Sequence, residues 1–144
     1  MDLMKLLFGI AVAGVLLALL AWAGSKRRRK MIAAAFAGRE QLTDEQFFEA
    51  HFRSRGVREN VSSEVRRILA KQFGEDMSRL AAGDDVTKNL KFFFDSDSLV
   101  DVEIILALEE AFDIKIADEE AQAMHTVEDL VLGVHNKLRL RNDA

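Results

Sequence analysis

The hydrophobic and polar positions divide the chain into one unbroken apolar run and a series of segments with helical spacing. Leu6–Ala23 carries no charged or polar side chain over 18 residues. As a helix it spans about 27 Å, close to the thickness of a bilayer's hydrocarbon layer. Trp22 stands at its end, where interfacial aromatics concentrate, and Lys26-Arg-Arg-Arg-Lys30 follows. Met31–Ala37 extends the helix, and Gly38 ends it. Thr43-Asp-Glu-Gln46 has the form of a capping box. It opens a short helix with Phe47, Phe48, His51 and Phe52 on one face, stopped at Gly56. That face packs on the main domain or lies on a membrane surface, and packing is the simpler reading. A further helix begins near Val61. Val61, Val65, Ile68, Leu69 and Phe73 form a single stripe, closed by Gly74.

Residues 75–97 read as a long loop with apolar plugs at Leu80, Leu90 and Phe92–Phe94. The Phe cluster is a loop plug or a shield for a bound chain. A helix over Ser98–Phe112 then carries Leu99, Val102, Ile105, Leu106, Leu108 and Phe112 as a wide apolar stripe. Asp118–Ala123 makes one or two turns with acids at its positive end. Thr126-Val-Glu-Asp129 caps a last helix that buries Val127, Leu130, Val131, Val134 and Leu138. No useful run alternates with period two. The pattern predicts an all-α fold: a single N-terminal transmembrane helix, a short amphipathic helix and a helical bundle.

Charge sharpens this division. The net charge is −4 over 144 residues, but it is unevenly placed. Residues 1–37 hold six Lys/Arg against Asp2, whereas residues 38–144 hold 14 Lys/Arg against 23 Asp/Glu. Within 95–129, 12 acids face Lys115 alone. Such a surface repels nucleic acid and suits partners with basic patches. The cations follow the apolar run rather than precede it, which opposes a cleaved signal peptide despite the small-x-small Ala21-Trp22-Ala23. By the positive-inside rule they place the remainder in the cytoplasm, on the inner face of the cell membrane. The predicted organisation is an anchor with its basic flank over 1–37, a short helical linker over 38–60 and a folded domain over 61–144.

Candidate chemistry is sparse. There is no Cys, and His51, His125 and His135 are scattered, which disfavours zinc. A calcium loop starting at Asp95 would need oxygen, Gly and Glu where Leu99, Val100 and Leu106 stand. No Gly-rich phosphate loop and no nucleophile elbow occurs. The reading is therefore no metal and no catalytic residue. Ser98, at a helix start, is either an ordinary N-cap or a point of attachment for an anionic group facing the helix's positive end.

Residues 97–121 run Asp-Ser-Leu-Val-Asp-Val-Glu-Ile-Ile-Leu-Ala-Leu-Glu-Glu-Ala-Phe-Asp-Ile-Lys-Ile-Ala-Asp-Glu-Glu-Ala, and Thr126-Val127 follows. In this register the chain resembles the acyl carrier proteins over about residues 61–138. The resemblance implies a four-helix carrier fold that catalyses nothing. It implies that Ser98 receives 4′-phosphopantetheine from coenzyme A through a phosphopantetheinyl transferase. It also implies that acyl-transferring or acyl-synthesising enzymes dock on Asp97, Glu103, Glu109 and Glu110. The chain departs from the family pattern with Asp95 in a usual glycine place, Val100 where an acid is frequent and Ala117 where Pro is frequent. The expected role is a membrane-tethered acyl carrier serving lipid or fatty-acid metabolism. The alternative is a membrane-anchored interaction module with a carrier fold and no arm.

Overall fold

The structure is a computed structural model. It describes residues 2–86, 88, 90 and 99–144, without the side chains of Arg28 and residues 99–101. The chain separates into two compact units, Met1–Ala35 and Phe36–Ala144. Among the described residues the regular elements are helices, with no strand beyond an isolated bridge between Asp85 and Thr126.

The first unit is one helix, α1 (Leu3–Ala35), 33 residues and about 50 Å long. It is long and apolar enough to cross a membrane, and none of its most apolar window is buried. Leu7, Phe8, Leu16 and Leu20 are all exposed. Lys26 Nζ lies 4.9 Å from the centre of the Trp22 ring, and Ser25 Oγ donates to the Trp22 carbonyl at 2.8 Å. The helix ends two residues before the expected Ala37, in a turn that leads to Gly38 at φ 74°.

In the second unit, α2 (Asp44–His51) starts at the expected box. Thr43 Oγ1 accepts from the Gln46 amide at 3.2 Å, and Gln46 Oε1 accepts from the Thr43 amide at 2.9 Å. Of the four residues placed on its apolar face, Phe47 and Phe52 are fully buried and Phe48 and His51 half-buried. The helix packs on α3 (Glu59–Phe73), so the packing alternative is the observed one. The α3 stripe lies in the core as expected, and Gly74 ends the helix at φ 66°. The start at Glu59 is two residues earlier than the apolar pattern gave, and no capping side chain marks it.

The loop after α3 supplies core of its own: Met77, Leu80, Ala82, Val86 and Leu90 are buried. It is tied on both sides. Leu42 N–H donates to the Ser78 carbonyl at 2.8 Å, while Val86 N–H donates to the His125 carbonyl and Val127 N–H to the Asp84 carbonyl. The Phe92–Phe94 cluster lies outside the described residues. The remaining helices are α4 (Leu99–Phe112), α5 (Asp118–Ala123) and α6 (Val127–Asp143). All five apolar positions expected on α6 are buried, and Thr126 with Asp129 forms its capping box.

Candidate functional site

Two predicted residues, Asp97 and Ser98, lie outside the described residues. The site is therefore built from α4, which begins at the next residue, Leu99. The core-facing residues of α4 are Ile104 and Leu108, one turn apart and at most 2 % exposed. This corrects the expected stripe in part: Leu108 is buried as expected and Ile104 joins it, whereas Val102 and Leu106 are more than half exposed. The helix is so rich in apolar residues that its sequence marks two neighbouring faces equally well, and contact with α3 and α6 selects the one through Ile104.

Val102 and Leu106 border a groove of about 680 Å³. Ile105 joins them from α4, with Ile116, Ala121, Met124 and Leu130 across from it. Polar groups in the wall come from Glu109, Asp118, Gln122 and His125. The groove is apolar over most of its wall and charged at its margins, which suits an aliphatic chain with a polar end. Val102 stands within the first turn of α4, where unpaired backbone amides and the helix dipole favour an anion.

The acidic residues of α4 take different places. Glu103 and Glu110 are exposed, seven residues apart, and so share one side of the helix. Glu109 is engaged inward. Its Oε1 accepts from the Ile116 amide at 2.8 Å, and its Oε2 lies 3.8 Å from Lys115 Nζ. It clamps the segment leaving α4, where Asp113 adopts a left-handed backbone at φ 50°. Arg141 of α6 closes the same end, donating to the carbonyls of Phe112 and Asp113.

Ala117 shows why a residue other than Pro serves here. Its φ of −66° is the proline value, yet its amide donates to Glu120 Oε2 at 2.9 Å, a bond proline could not make. Glu120 also pairs with Lys137 at 2.7 Å, linking α5 to α6, and these bonds hold its carboxyl below the ordinary range.

Residues that the pattern did not single out tie the long loop and α2 into the same unit. Arg39 Nη1 and Nη2 donate to the two oxygens of the buried Asp84 at 2.7 and 3.0 Å, and the Ala81 amide donates to the same carboxylate at 2.8 Å. Arg66 of α3, 8 % exposed, donates from Nε to Asp44 at 3.0 Å and from Nη1 to the Leu42 carbonyl at 2.9 Å. Its guanidinium lies 4.9 Å from the Phe47 ring centre. A charge on the buried side of an amphipathic helix was a signal available in the sequence; its partners, 22 and 24 residues away, were not.

Together these features define a small helical domain with an acidic helix beside an open apolar groove. The chain is 35 % identical over 82 residues to an acyl carrier protein of Exiguobacterium sp., covering 57 % of this chain and 99 % of that protein. It is 39 % identical over 74 residues to an acyl carrier protein of Akkermansia muciniphila, covering 50 % of this chain and 85 % of that one. This chain belongs to the acyl carrier protein family, whose members are carriers rather than enzymes. No protein-family profile matches the chain.

Proposed function

We propose that this protein is an acyl carrier held at a membrane, with 4′-phosphopantetheine attached to Ser98. The observation that carries the reading is the match along nearly the whole length of an acyl carrier protein. The described residues fit the group. A 14-residue helix starts directly after Ser98, so its first-turn amides suit the phosphodiester. The groove reached by Val102, four residues further along the chain, suits an aliphatic cargo. When bound, the arm supplies a terminal thiol that holds an acyl group as a thioester. The protein's own residues position and recognise. The dipole of α4 favours the phosphate, and the wall from Val102 to Leu106 covers part of the chain. Asp97, Glu103, Glu109 and Glu110 form the acidic docking surface. Glu103 and Glu110 offer free charge there, and Glu109 contributes least because it is already bound. Exposed charge of this kind raises encounter rates with basic partners without demanding tight binding. Those partners are a phosphopantetheinyl transferase and acyl-handling enzymes of lipid or fatty-acid metabolism.

Anchoring through α1, with residues 26–30 and the following unit on the cytoplasmic side, raises the effective concentration of cargo near membrane enzymes. Intact mass after co-expression with a phosphopantetheinyl transferase tests the attachment. The wild type gains one phosphopantetheine and Ser98→Ala does not. A wild type that stays bare with several transferases leaves the armless interaction module. For the anchor, the protein stays in the pellet after carbonate extraction, and protease removes the C-terminal unit only from inside-out vesicles. Release into the supernatant refutes the tether.

A further inference from the structure

Gly133 occupies the interior of α6 (Val127–Asp143), where glycine weakens a helix relative to alanine. The structure gives a reason for it. A Cβ at this position would stand 2.3 Å from Met124 Cε and 3.3 Å from its Sδ. The Met124 thioether therefore lies directly on the bare backbone of Gly133. The same side chain borders the 680 Å³ groove, so it has α6 on one side and the groove on the other. Met124 also sits at the junction of α5 and α6, with an extended backbone at φ −90°, ψ 94°. Its side chain is unbranched and soft, able to change rotamer at little cost. The other apolar wall residues named above are β-branched Val and Ile, Leu or the short Ala121, which lack that freedom.

We infer that Met124, seated on Gly133, is the adjustable wall that sets how long a saturated acyl chain this carrier accommodates. The inference rests on the acyl-carrier reading. With Gly133 bare, the thioether retracts against α6 and the groove lengthens for the chain. A methyl group at 133 displaces it toward the groove and shortens the available space. Removing the side chain by Met124→Ala leaves the space permanently open.

The test uses the full chain in lipid nanodiscs, labelled with ¹³C at the methionine methyls and loaded with butanoyl, octanoyl, dodecanoyl or hexadecanoyl arms. Two readouts are taken: the Met124 methyl resonance, assigned by its loss in Met124→Ala, and the melting temperature of each loaded form. In the wild type the methyl resonance moves on loading, and thermal protection rises with chain length to a maximum. Gly133→Ala shifts the unloaded methyl resonance and moves the maximum to shorter chains. Met124→Ala moves it to longer chains, and also serves if the α6 variant fails to fold. A wild type protected by chain length, with the same maximum in both variants, overturns the role of Met124. A wild type that takes no arm overturns the underlying reading and the inference with it, whereas one that takes the arm but gains protection from no chain length overturns the inference alone.

Discussion

Arg66 is a charged residue held almost wholly inside the fold. Its stem runs through the core and its head spends its donors on Asp44 and the Leu42 carbonyl while stacking on Phe47. Replacing it with Met keeps the apolar stem but abandons the Leu42 carbonyl. Hydrogen bonds to a charged group contribute about 1.5–3 kcal/mol, so Arg66→Met is expected to cost about 2 kcal/mol. Urea unfolding followed by circular dichroism measures it, and an unchanged midpoint refutes the role. Asp129 illustrates a competing balance. Burial would raise its carboxyl, but bonds from the Thr126 and His125 amides outweigh this and hold it below the ordinary range. Both residues of that capping box could be named from Thr126-Val-Glu-Asp129 alone, because a cap is a local bond. The partners of Arg66 could not.

At the scale of elements, α2 is integral to the C-terminal unit. Phe47 and Phe52 have no exposed surface and their rings meet edge to face at 5.5 Å. The segment before α2 is fastened to the long loop by Arg39 and Asp84, by Arg79 Nε on the Arg39 carbonyl, and by Leu42 on Ser78. Arg55, in the turn after α2, pairs with Glu128 at the start of α6. A carrier unit shortened to begin at Val61 would lose this layer. Phe47→Ala is expected to destabilise the unit by about 3–5 kcal/mol, the usual cost of removing a buried aromatic. Its measured unfolding midpoint should fall accordingly, and a shift no larger than that of Phe48→Ala, at a half-buried site, would show that α2 is dispensable. The same scale explains the turned face of α4. Ile104 and Leu108 differ from Val102 and Leu106 in no property of composition, only in what stands opposite them.

For the whole molecule, pH and charge act together. His51 and His135 are both held below the ordinary imidazole range. Burial is the main cause, opposed at His51 by Asp84 and reinforced at His135 by Arg58 and Arg139. The buried Nδ1 of His135 makes no hydrogen bond among the described residues. Each histidine thus binds its proton more readily in the unfolded chain. Their contribution to stability is present above an unfolded pKa of about 6.5 and is lost as pH falls below it. The melting temperature is expected to drop between pH 7 and pH 5, and less so in His135→Leu, as thermal scans across that range would measure. Equal slopes in the two proteins would rule out His135 as a contributor.

What the sequence determined by itself is the order of the helices and their limits to within a few residues. Helical spacing, Thr43 and Thr126 at starts, and Gly74 at a stop act through bonds between residues a few places apart, whereas α2 ends at His51, short of the expected Gly56, which caps a separate 3-10 turn over Arg53–Arg55. The apolar run of α1 and the acidic character of α4 are legible for the same reason: composition is already local. Tertiary structure decided which side of α4 faces the core, that Glu109 turns inward to Ile116, that Arg39 meets Asp84 across 45 residues, and that Met124 rests on Gly133. Those outcomes depend on which surfaces meet, and a periodic pattern carries no record of what lies across the gap.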